Sequence, residues 1–193
     1  MKFWQLEVDV DQYAHLAFVD EAMTRRLIGE FMGKPFSGRW EEVQVYCPKE
    51  WEEPGWSIKE RKMIKAQREG RPIGDFVYLV GAEGAVILRD KALTILQPLI
   101  EGSVEILPLR YGGERLHLIN VINVIDCLDE EKSTVKRLPD GMIWRFVEAA
   151  FKEDLLEGEH IFKLPGPQVF IFVSELFMKK VEENGLKGLL WKP

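Results

Sequence analysis

The sequence predicts an α+β protein with a mixed or antiparallel sheet core and a smaller α/β segment on its N-terminal side. Three observations carry this expectation. First, Leu116, Leu118, Ile119, Val121, Ile122, Val124 and Ile125 form a nearly continuous run rich in β-branched side chains. Such a run suits a central strand buried on both faces. Second, the order strand, hairpin turn, strand, helix, glycine, strand occurs twice, from residue 75 and again from residue 160, and reads as an internal duplication. Third, the helical stretches are short and carry their own start and stop signals.

The elements follow in chain order. Residues 2–10 read as a strand, with Phe3, Leu6, Val8 and Val10 apolar. Residues 20–32 read as a helix capped by Asp20 and stopped by Gly33, with Met23, Leu27, Ile28 and Phe31 on one face. A short strand at 42–46 lies in an irregular stretch bearing Trp40, Trp51 and Trp56. A basic helix follows from Ser57, whose partner in a capping box is Glu60, with Gly70 as its end. Residues 75–80 and 85–88 make a hairpin across GAEG. Asp90 caps a helix over 91–101, Pro98 bends or ends it, and 104–109 is a strand. After the central run come a charged turn over 126–141, a strand over 142–149 and a helical turn over 152–158. The second copy runs through strands 160–164 and 169–173, a helix over 175–183 capped by Ser174, Asn184-Gly185, and a strand over 186–191. The texture changes near residue 72, so the expected division is an N-terminal segment 1–71 and an α+β domain 72–193.

Composition bounds the function. The chain has 193 residues, of which 46% are hydrophobic and 30% charged, an ordinary globular balance that needs no covalent staple. Its two cysteines, Cys47 and Cys127, sit in unrelated contexts and fit a reducing compartment. The first residues lack an apolar leader, and no apolar run approaches the roughly 20 residues that span a bilayer. The expected location is therefore the cytoplasm, with no membrane partner. The net charge of -6 argues against nucleic acid as the main partner.

The search for chemistry finds no catalytic constellation. His15, His117 and His160 have no second ligand at metal spacing, so no metal and no cofactor is expected. Cys127 reads as a small core residue, and Cys47 has no histidine nearby. Phosphate-cradling glycine motifs and the nucleophile elbow are absent. Asp126, Asp129, Glu130 and Glu131 cluster after the central run, where a solvated turn explains them better than a cation site. Residues 59–71 read as the solvated face of a capped helix. The tryptophans beside Glu52 and Glu53 fit either a partner surface or a cap on the core.

A resemblance sharpens this. Asn120-Val121, Val124, Asp126, Leu128, Asp129 and Ser133 resemble the strand-and-turn signature of immunity protein family eleven of bacterial polymorphic toxin systems. Ile161-Phe162-Lys163-Leu164, then Ile171-Phe172-Val173-Ser174, then Gly185-Leu186-Lys187-Gly188-Leu189 resemble that family's close, and Gly74-Asp75-Phe76 and Glu105–Leu109 match its shape upstream. The resemblance spans about residues 70–191 and stops short of the tryptophan-bearing third. It implies a non-enzymatic cytoplasmic protein that binds and neutralises a cognate toxin. Asn120, Asp126, Ser133, Phe162, Ser174 and Gly188 are then scaffold residues. The expected contacts are Trp51, Glu52, Glu53 and Trp56 with the turn Asp129, Glu130 and Glu131. The alternative is an enzyme or small-ligand binder built around Asp75, His117, Asp126 and Asp129. Exposed sheet edges would also permit a homodimer.

Overall fold

A computed structural model describes residues 2–27, 29–48, 70–166 and 169–190. The expected basic helix and Trp51, Glu52, Glu53 and Trp56 lie outside the described residues.

The architecture is α+β. Six strands form a mixed sheet: β2 (Ala17–Phe18), β3 (Val43–Tyr46), β4 (Phe76–Val77), β5 (Ala85–Arg89), β6 (Val104–Tyr111) and β7 (Glu114–Val121). Their spatial order is β2-β3-β6-β7-β5-β4, and only the β3–β6 pairing is parallel. A second sheet orders β1 (Phe3–Gln5), β11 (Phe172–Ser174) and β10 (Ile161–Phe162). A third is the hairpin of β8 (Thr134–Arg137) and β9 (Ile143–Glu148). The α-helices among the described residues are α1 (Glu21–Leu27), α2 (Asp90–Ile100) and α3 (Glu175–Glu183), and a single 3-10 turn spans Glu153–Leu155. Strands from both sides of residue 72 share these sheets: β1 pairs with β11, and β3 with β6.

β7 is the central strand, paired along its whole length with β6 on one side and from Leu116 to Asn120 with β5 on the other. Its alternation places Leu116 and Leu118 in one apolar core and Ile119 and Val121 in another. The first core holds Phe18, Leu27 and Phe31 from the N-terminal third. The second holds Ala92, Leu96 and Ile100 of α2 with Phe177, Met178 and Val181 of α3. The expectation of a strand buried on both faces is met, over a shorter span than the apolar run. The chain leaves the ladder after Val121, where Ile122 and Asn123 donate to the Ser103 carbonyl.

Several elements differ from the reading of the sequence. The first strand is only Phe3–Gln5, because the Asp9 carboxylate folds the chain back by accepting from the amides of Asp11 and Gln12. Asp20 does accept from the Ala22 amide at 2.9 Å, yet α1 ends at Leu27. The left-handed stop is Gly29 at φ 79°, four residues before the expected Gly33. Asp90 is not the cap of α2: Arg89 holds that place, and the Asp90 carboxylate turns to His117 Nε2 at 2.5 Å. The charged turn over 126–141 contains β8, which only Val135 advertises with an apolar side chain among the four residues. Residues 186–190 form no strand; a single β-bridge joins Leu189 to Val8. Ser174 caps α3 as expected, its Oγ accepting from the Phe177 amide at 3.3 Å.

The end of the chain is held by a close backbone approach. Gly188 sits at φ 106°, and a Cβ there would strike the Phe76 carbonyl oxygen. Facing it, a Cβ on Gly74 would lie 2.9 Å from the Gly188 Cα. The amides of Asp75 and Phe76 both donate to the Lys187 carbonyl, and the Lys187 amide donates to the Asp75 carboxylate at 2.8 Å. Gly188→Ala is expected to cost at least about 2 kcal/mol, from positive-φ strain plus the clash. A denaturant titration that leaves the midpoint unchanged would contradict this reading of the approach.

Candidate partner-binding surface

The β8–β9 hairpin is fixed from below and open above. On its inner side, Ile143 joins Cys127, Leu128, Leu156, Phe162 and Phe172 in a third core. Rings interlock there edge to face: Phe146 with Phe170 at 5.1 Å and Phe172 at 5.3 Å, and Phe151 with Phe172 at 5.0 Å. The turn before β8 is tied by Ser133, whose Oγ accepts from the Ala150 amide at 2.9 Å and donates to its carbonyl at 3.1 Å. The Asp129 amide also donates to the Ala150 carbonyl. These bonds explain one of the expected scaffold residues, Ser133.

On the outer side the hairpin exposes large apolar groups. Trp144 is 58% exposed and Val147 59%. Both are extra residues in β9: Thr134 pairs with Glu148, Val135 with Phe146, Lys136 with Arg145 and Arg137 with Ile143, so Val147 and Trp144 face no partner residue. Such bulges re-aim side chains and recur beside functional sites. Beside them runs a groove of about 780 Å³ between β9 and β1. Trp4, Val147 and Phe151 line it, together with charged residues of both signs that include Lys2, Arg145 and Glu148.

The charges of the expected acidic turn are largely answered locally. Lys132 Nζ lies 2.7 Å from Asp129 Oδ2, and its hydrogen bond holds that carboxyl below the usual range. Arg137 donates to Glu130 at 2.6 Å. Glu131 is exposed. Neither Lys136 nor Arg145 makes an ion pair among the described residues.

The residues of the alternative site are engaged in different places. Asp75 accepts from Lys187, His117 binds Asp90, Asp129 binds Lys132, and Asp126 is exposed. No hydrogen bond joins any two of the four among the described residues. No cluster of three or more potential metal ligands occurs among them either. Among the described residues, no helix is long and apolar enough to cross a membrane. Burial pushes the Cys127 thiol up to about 11, the opposite of nucleophile activation. His160 Nδ1 lies 2.8 Å from Ser174 Oγ, but that hydroxyl is buried and already caps α3. His15 is buried.

Trp40 belongs to the core edge. Its ring meets Phe36 at 5.2 Å and its Nε1 donates to the Pro108 carbonyl at 3.0 Å. Asn120 is fully buried; its Nδ2 donates to the Lys34 carbonyl at 2.9 Å and to Glu105 Oε2 at 3.1 Å. That oxygen also accepts from the Phe36 amide, so Asn120 and Glu105 clasp loop 34–36 onto β6 and β7.

The described residues form a packed sheet body carrying one braced hairpin with the exposed Trp144 near its tip. Residues 109–193 are similar to immunity proteins, and the matching family model is that of the Immunity protein family (Imm11). This agrees with the resemblance read from the signature at Asn120–Ser133 and from the C-terminal motifs. The matched stretch contains β7 to α3 and the whole β8–β9 hairpin; the Gly74–Phe76 motif lies outside it. No curated protein matches the chain.

Sequence reasoning missed two features. The sequence predicts the strand over 142–149 and β9 occupies Ile143–Glu148, but which of its side chains face outward is not predicted, because bulges at Trp144 and Val147 shift the alternation. The other is Lys163, 1% exposed, whose ammonium donates to the Phe31 carbonyl. Burial lowers its pKa from 10.5 to about 8. Below about pH 8 both folded and unfolded chains hold this proton, and the burial penalty is constant. Between about 8 and 10.5 the unfolded chain binds it and the folded chain does not, so stability rises with pH. The slope contributed is at most about 1.4 kcal/mol per pH unit. Lys163→Met is expected to flatten this rise; equal slopes for wild type and variant in urea titrations at pH 8 and 10 would refute the assignment.

Proposed function

We propose that this protein neutralises a cognate toxin by stoichiometric binding in the cytoplasm, without catalysis. The observation that carries the reading is the immunity-family match over 109–193, which includes an exposed, braced hairpin suited to docking. Trp144 is the central contact in this proposal: a large, partly anchored aromatic is the residue type that dominates binding energy at interfaces. The turn Asp129–Glu131, at the foot of the hairpin, supplies its rim. The acidic stretch with Trp51, Glu52, Glu53 and Trp56 stands as a second contact proposed from the sequence alone. Binding there would occlude the toxin's active site or lock an inactive conformation.

Production of the toxin encoded beside this protein tests the reading. Cells should survive when both are made, and die when the toxin is made alone. Death at the same rate with and without this protein would sink the proposal. Trp144→Ala should weaken binding by ten- to a hundredfold, a typical loss of about 2 kcal/mol at an interface anchor. Its thermal midpoint should stay near that of the wild type, because the ring is 58% exposed.

A further inference from the structure

The hairpin carries a local charge arrangement that the fold alone does not favour. Lys136 and Arg145 are direct cross-strand partners, both exposed, and neither makes an ion pair among the described residues. Like charges placed directly opposite destabilise a strand pair. The neighbouring Arg137 is different: it is neutralised by Glu130 at 2.6 Å and also donates to the Gly141 carbonyl. The two unanswered cations are flanked along β9 by Trp144 and Val147, the two bulged and most exposed apolar residues of the hairpin. A basic pair framed by apolar groups therefore stands out on a chain of net charge -6.

We propose that the outer face of β8–β9 docks an acidic, extended segment of the toxin, with a carboxylate set between Lys136 and Arg145 and apolar side chains against Trp144 and Val147. This deepens the proposed function and rests on it. Charge complementarity selects the occupant. A carboxylate between the two cations converts a repulsive pair into two attractive contacts, and the apolar neighbours lower the local dielectric around them. A nucleic acid also binds Lys, Arg and Trp, but it needs several phosphate contacts along its length. Here two cations are available on the face, too few for such a track of phosphates. The inference reverses the expected polarity at this site: the chain is acidic overall, yet the contact is basic.

Two kinds of measurement test it. The first uses the full chain and three probes: a short synthetic peptide alternating glutamate with valine and phenylalanine, its lysine counterpart, and a short oligothymidylate. Backbone amide and indole NMR shifts report the site. The acidic peptide should perturb residues 134–148 and the Trp144 indole, with binding that weakens as salt rises. Equal or tighter binding of the lysine peptide or of the oligothymidylate at these residues overturns the proposal.

The second uses Lys136→Glu, which places opposite charges across the strand pair. It should raise the thermal midpoint slightly while weakening capture of the toxin roughly tenfold. Gain of stability with loss of binding is a signature that mere damage to the fold would not give. Toxin binding unchanged in both Lys136→Glu and Arg145→Glu, while the wild type protects cells, overturns the acidic-segment inference and leaves toxin neutralisation standing. Failure of the wild type to protect cells overturns toxin neutralisation itself. The peptide experiment then still decides whether the face selects acidic segments.

Discussion

The structure depends on β7 being buried on both faces. A strand paired on both edges and covered on both sides can satisfy its backbone groups only through its ladder, and its side chains must all find packed neighbours. β7 does this with Leu116 and Leu118 in one core and Ile119 and Val121 in the other. Two of its polar residues, His117 and Asn120, are each held by a bond across the sheet. His117 reaches Asp90 at the start of α2, and Asn120 clasps the Lys34 carbonyl together with Glu105. Those bonds tie α2 to one face of the sheet and the N-terminal loop to the other. A register slip of one residue would carry Asn120 into the helix-covered core, where none of these partners lies.

The C-terminal stretch closes around that sheet. β11 lies between β1 and β10, so the beginning and end of the chain share a ladder. Gly188 lets the last segment run against the backbone of Phe76 at the edge strand β4, where any side chain would clash. Lys163 reaches from the other direction to the Phe31 carbonyl, against Gly84, where a Cβ would lie 2.9 Å from its amine. A buried amine at such a junction is costly to desolvate, and its depressed pKa measures that cost.

How much of this could be read beforehand varies with the physics of each element. Strongly local signals carried: the β-branched run gave β7, GAEG gave the β4–β5 turn, and Ser174 gave the cap of α3. Signals that depend on distant partners did not. Asp90 looks like a cap until His117 is placed beside it across the sheet. The length of α1 depends on which of two left-handed glycines stops it, and Gly29 and Gly33 are equal candidates by residue type. β8 has a single apolar residue because its partner β9 and the phenylalanine cluster supply the burial. Ser133 was legible as part of a motif, but its role needs the Ala150 backbone seventeen residues on. The hairpin surface was the least legible: β9 is predicted as a strand, but bulges at Trp144 and Val147 change which of its side chains face outward.

That last failure has a physical reason that bears on the proposed function. A hairpin built only for stability would alternate cleanly, pair opposite charges and turn its large apolar groups inward. β8–β9 follows these rules on its inner face, where Ile143, Phe146 and Val135 pack with the ring cluster. On its outer face it breaks all of them at adjacent positions. Departures confined to one face of an element whose other face is regular are not a sign of poor packing. They mark a surface whose composition answers to something other than the fold. The inner face makes that departure tolerable: Ser133, Asp129 and the interlocked rings hold the hairpin in place whatever its outer face carries. Rigidity also serves recognition, because a surface already ordered loses little entropy when a partner settles on it.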